Sequence, residues 1–144
     1  MTLSELSKYY RLHKRQNWAL ETLASLQDTA HTGALGAQVI TGMPHAPGVR
    51  DKVGDLIVEI EDVKGEIKRL EIEMGQVERE ISSYIETIPD IQTRLIFRLR
   101  FIRCMSWEEV AAAIGGRNTV NVVKKACYRY LDAEKEKRRA KESI

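Results

Sequence analysis

Cysteine is scarce in this chain of 144 residues, which has only Cys104 and Cys127. Two cysteines without a C-x-x-C pair exclude a disulfide-built scaffold and point to free thiols in a reducing compartment. Proline occurs three times, few enough to leave long helices unbroken. No apolar run approaches the roughly 20 residues needed to cross a bilayer. The opening MTLSELSKYYRLHKRQ lacks the apolar centre of a secretory signal. The expectation is a cytoplasmic protein without membrane contact. His13, His31 and His45 are too scattered for a metal site. Neither a G-x-x-x-x-G-K-[ST] phosphate loop nor a G-x-S-x-G nucleophile elbow occurs. Glu108 and Glu109 read as acids at a helix N-terminus, favoured by its dipole, not as catalysts. A protein that is not an enzyme, with no metal and no cofactor, is the expectation.

What is present is charge, unevenly spread. The net charge is only +2, yet residues 1–48 carry 4 basic and 3 acidic side chains, residues 49–93 carry 6 and 12, and residues 94–144 carry 13 and 6. An acidic middle joined to a basic end suits a chain whose C-terminal part meets a polyanion.

The helical periodicity predicts an all-α fold in two parts, a helical hairpin over 1–88 and a tri-helical module over 89–144. Leu3, Leu6, Tyr10, Leu20, Leu23 and Leu26 recur at helical spacing, giving a first helix over about 3–27 with Lys8, Arg11, Lys14 and Arg15 in its first half. Residues 28–48 hold four glycines and two prolines and read as a linker. From Val49, apolar residues recur at alternating spacings of four and three to Ile88: Val53, Leu56, Ile60, Val63, Ile67, Leu70, Met74, Val77, Ile81 and Tyr84 lie between. This is a coiled-coil seam on a long helix over 49–88. In a parallel homodimer Glu66 would face Glu71 and Glu73 would face Glu78, like against like. The seam therefore favours the basic first helix as an antiparallel partner within the chain, with a homodimer through the long helix as a further step. Pro89 marks a change of direction.

Beyond it, Ile91, Leu95, Ile96, Leu99 and Ile102 share one face of a helix of about fourteen residues by the 3.6-residue period. Ser106 stands three residues before Glu109, a capping box for a short helix over Trp107–Ile114, with Trp107 packing between helices. Gly115 and Gly116 supply a turn. Asn118 or Thr119 then caps a third helix buried along Val120, Val123, Cys127 and Leu131. Three helices in this order, with a glycine turn before the third, describe a helix-turn-helix, whose third helix meets the major groove. The face opposite the buried stripe carries Arg117, Asn118, Thr119, Asn121, Val122, Lys124, Lys125 and Arg129, and no acid lies between Glu109 and Asp132. Arginine reads guanine, asparagine reads adenine, threonine and valine touch thymine methyls, and lysine holds phosphate. Double-stranded DNA is the expected partner, and these eight residues the expected site.

Leu99, Arg100, Phe101, Ser106, Trp107, Glu109, Val110, Ala111, Gly115, Thr119 and Val120 form a pattern that resembles region 4 of bacterial sigma factors. Cys104 stands where those factors commonly have glycine in the turn, and Gly115 to Thr119 is one residue shorter than their usual spacing. With its hairpin, a connector containing GMP and this module, the chain is similar to small phage-encoded regulators of the RinA and ArpU type. The resemblance implies an activator of late phage genes, meeting RNA polymerase, if at all, as an accessory. Two other classes fit the same residues: a DNA-packaging subunit like the small terminase, and a coiled-coil module that binds an acidic protein.

Overall fold

The structure, a computed structural model, describes residues 1–34 and 47–143. Every regular element among the described residues is a helix, and none is long and apolar enough to cross a membrane. The single turn α1 (Leu3–Leu6) opens on a capping box, in which the Glu5 N–H donates to Thr2 Oγ1 and the Thr2 N–H donates to the Glu5 carboxylate. After Ser7, α2 (Lys8–Thr29) runs on into a wide π-type turn at Ala30–Ala34. Helical structure thus continues past Gln27 into the stretch expected to be a linker. The rest of that stretch, 35–46, lies outside the described residues.

The long helix α3 (Pro47–Glu86) begins at a proline, whose ring suits a first helical turn. Its end tightens: the Thr87 N–H donates to Tyr84 O and the Ile88 N–H to Ile85 O, both at 3.0 Å. Pro89 cannot donate, and Asp90 restarts the chain as the cap of α4 (Ile91–Phe97), accepting from the Thr93 N–H at 2.9 Å. A second π-type turn, Arg98–Ile102, extends α4. Two further helices complete the order, α5 (Trp107–Ile114) and α6 (Val120–Glu142).

The chain divides into two compact units. In Leu12–Glu73, α2 lies antiparallel on α3: the Arg15 guanidinium meets the Glu66 carboxylate at 3.0 Å, and further along the chain Gln27 of α2 and Ala30 of the π-type turn sit beside the earlier Ile60. Leu12 and Ala19 of α2 and Ile67 and Leu70 of α3 are buried here, so the intramolecular hairpin forms along the expected seam. Towards its start the seam is only half covered, at Val53, Leu56, Ile60 and Val63.

Met1–Arg11 and Met74–Ile144 form the other unit. The sequence places a boundary at Ile88, but the contacts group the last turns of α3 with α4 to α6. Ile81, Ile85 and Ile88 are fully buried in this unit, as is Leu6 from the N-terminus. Ile85, an outer position of the heptad, is buried, whereas the seam residue Tyr84 is half exposed. Near the end of α3 the helix is covered from more than one side, so a single seam no longer accounts for its burial.

Candidate nucleic-acid interface

The centre of the C-terminal unit is Phe97, fully buried among aromatic rings: Phe101 at 5.4 Å, Tyr130 at 5.5 Å and Tyr84 at 6.4 Å between centroids. Edge-to-face packing ties α4 to α6 through Tyr130, and the tilted Tyr84 ring ties it to the end of α3. Both phenols donate to one carboxylate: Tyr130 Oη to Glu134 Oε1 at 3.1 Å and Tyr84 Oη to Glu134 Oε2. The face expected for α4 is corrected by this core. Ile91 and Leu95 are exposed, Ile91 by 76%, while Ile96, Phe97 and Phe101 are buried. The π-type turn inserts extra winding after Phe97, so one helical period cannot run from Ile91 to Ile102, and the two phenylalanines bring more apolar surface to the core.

Arg100 is held inside the unit, donating to Met105 O at 2.8 Å with its guanidinium 4.7 Å from the Trp107 ring centre. This holds the turn before α5, where Cys104 adopts φ +57°. A left-handed residue is what glycine supplies without strain. The Cys104 thiol reaches Ile102 O at 3.8 Å. Cys104→Val should therefore cost about 1–2 kcal/mol, because a β-branched side chain resists positive φ, whereas Cys104→Gly should be neutral or stabilising. Urea melts of the two variants check this, and equal losses would contradict it.

Ser106 accepts from the Glu109 N–H at 3.2 Å and starts α5, which buries Trp107, Val110 and Ala111. The turn between α5 and α6 uses both glycines at positive φ, 73° and 67°. Asn118 braces it: its amide donates to Gly115 O and its side-chain oxygen accepts from Gln92, each at 3.0 Å. Thr119 is the cap of α6, accepting from the Val122 N–H at 3.3 Å. Val123 and Cys127 are fully buried and Val120 and Leu131 half buried, as the stripe requires.

Of the eight expected site residues, Arg117, Thr119, Asn121, Val122, Lys125 and Arg129 are exposed, and Asn118 and Lys124 half buried. Asn118 and Thr119 spend their polar side chains on the turn and the cap. Among the described residues none of Arg117, Lys124, Lys125 and Arg129 is paired with a carboxylate. No family model, curated protein or solved structure matches this chain. Tyr128 belongs to the same surface, exposed by 39% and 6.1 Å from the Trp107 ring, and its spacing of seven from Asn121 signals it in the sequence. Asn121, Lys125 and Tyr128 stand at i, i+4 and i+7, a row along the outer side of α6. At its head lies a helix N-terminus, whose free N–H groups and dipole favour an anion. Cations, an amide and an aromatic edge on one rigid helix form a surface able to grip phosphates and bond to base edges.

Burial pushes the Cys127 thiol up to about 12, against a slight opposing pull from Arg100. Burial and the bond to Glu134 likewise raise the Tyr84 phenol. The folded chain thus keeps protons that the unfolded chain releases above about pH 9. Through these two groups, stability should be unaffected below about pH 9 and fall from there towards pH 12. Cys127→Ala should weaken that fall, as denaturant titrations across the range would show.

Proposed function

We propose that this chain is a sequence-specific DNA-binding regulator of transcription that reads double-stranded DNA with the first turns of α6 as the recognition helix of a helix-turn-helix. The observation that carries the reading is the row of unpaired cations and Asn121 on the outer face of a helix that has no acid before Asp132. Arg117, Asn121 and Val122 would contact bases, and Lys124, Lys125 and Arg129 phosphates. Thr119 and Asn118 would act through the cap and the turn. The resemblance to sigma region 4 and to regulators of the RinA and ArpU type makes a phage late-gene activator, an accessory to RNA polymerase, the specific form of the proposal. Selection of bound sequences from random duplexes, followed by footprinting on DNA flanking its own gene, tests it. A consensus protected with affinity that falls steeply with salt is expected. Absence of retention on any duplex at low salt would overturn it in favour of a protein-binding module.

A further inference from the structure

We propose that α3 pairs antiparallel with α3 of a second copy of this chain, through a face the hairpin leaves uncovered, with Gly65 on the two-fold axis. Within Leu12–Glu73, α2 covers the side of α3 that carries Ile67 and Leu70. On another side Val58 and Ile72 are exposed by 59% and 66%. Val58, Glu61, Gly65, Lys68 and Ile72 are spaced by three, four, three and four residues, which aligns them in a second stripe.

The order of residues about Gly65 selects the partner. Val58 and Ile72 stand seven residues to either side; Asp62 and Lys68 stand three, Glu61 and Arg69 four, and Lys64 and Glu66 one. Each of these four pairs joins β-branched to β-branched or acid to base. Two copies running in opposite directions therefore set every one of these charges against its opposite, whereas parallel copies set each against itself. A two-fold interface demands this self-complementarity. Asp62 and Lys68 form no ion pair among the described residues. At the axis, a Cβ added to Gly65 would meet no atom within 4 Å, so the two backbones can approach closely there. Leu20, exposed by 46%, and Leu23 of α2 widen the apolar surface beside Gly65 and Lys68. The pairing does not rest on DNA binding, and loss of that activity would leave it standing.

Sedimentation equilibrium of the full chain, with cysteine cross-linking, tests the proposal. The chain should sediment as a dimer. Lys68→Glu should raise the dimer dissociation constant by at least about tenfold, and the double change Asp62→Lys with Lys68→Glu should restore it. Mixed Val58→Cys and Ile72→Cys chains should cross-link on oxidation, while neither should cross-link to itself beyond the level of the unaltered chain. Across the axis two copies of either position lie roughly 20 Å apart at 1.5 Å per residue, beyond the reach of a disulfide. Both positions are exposed, so the cross-linking result stands even if the charge variants fold poorly. A monomer at about 100 μM, a higher ring, or self-cross-linking of either single variant would overturn the pairing.

Discussion

Phe97→Ala should lower the stability of the chain by about 3–5 kcal/mol, the range for deleting a fully buried aromatic ring. The ring touches α3 through Tyr84, its own extension through Phe101 and α6 through Tyr130. Its loss leaves a cavity where three elements meet, and the shared Glu134 carboxylate cannot close it without giving up a phenol. A fall in melting temperature of roughly 10 °C or more would accompany the change in a chain of this size. Urea unfolding followed by circular dichroism measures it. A loss below about 1 kcal/mol would mean that Phe97 is peripheral. Phe97→Leu, which keeps much of the volume, should recover a good part of the loss.

The triple variant Arg117→Ala, Asn121→Ala, Lys125→Ala should lose on the order of 100-fold or more in affinity for a selected duplex while remaining folded. The three side chains are exposed and none contributes to the core. The single changes should differ in kind. Asn121→Ala should relax preference at one base pair by about 1–3 kcal/mol. Lys125→Ala should weaken all sequences alike and reduce the slope of log affinity against log salt by about one. Fluorescence anisotropy with selected and scrambled duplexes over a salt series separates the two effects. Unchanged binding by a folded triple variant would remove the outer face of α6 from the function.

Local chemistry in the C-terminal module was legible in the sequence. Ser106 and Thr119 occupy the caps that their hydroxyls predict, and Gly115 and Gly116 the positive-φ turn that the lack of a Cβ allows, because such positions depend on residues within one helical turn. The middle of the long seam, where Ile67, Leu70, Met74, Val77 and Ile81 are buried, was legible for the same reason, through its many repeats. Features set by packing from a distance were not. Ile91 and Leu95 fit the expected face by period, but Ile96, Phe97 and Phe101 take the core and leave both outward. Asn118 has the chemistry of a base reader and the neighbours of a brace, and its bonds to Gly115 O and Gln92 distinguish the two. Pro89 does interrupt the helices, yet a change of direction is not a boundary between compact units when Ile81 and Ile85 are buried in one unit with α4 to α6. The contribution of Leu6 to that unit gave no local sign.

The clasp of Tyr84 and Tyr130 on Glu134 divides α6 into two regimes of backbone protection. Before it, the amides around Val123 and Cys127 can exchange with solvent deuterium only when the aromatic core opens. After it, every side chain from Lys135 to Ser143 is exposed, and Arg138, which donates to Met1 O at 3.3 Å, holds the end by a solvent-screened bond. Fraying there requires no loss of buried apolar surface. Deuterium uptake should thus be slow at 123–131 and rapid beyond residue 135, with Glu134→Gln moving the border towards the start of the helix.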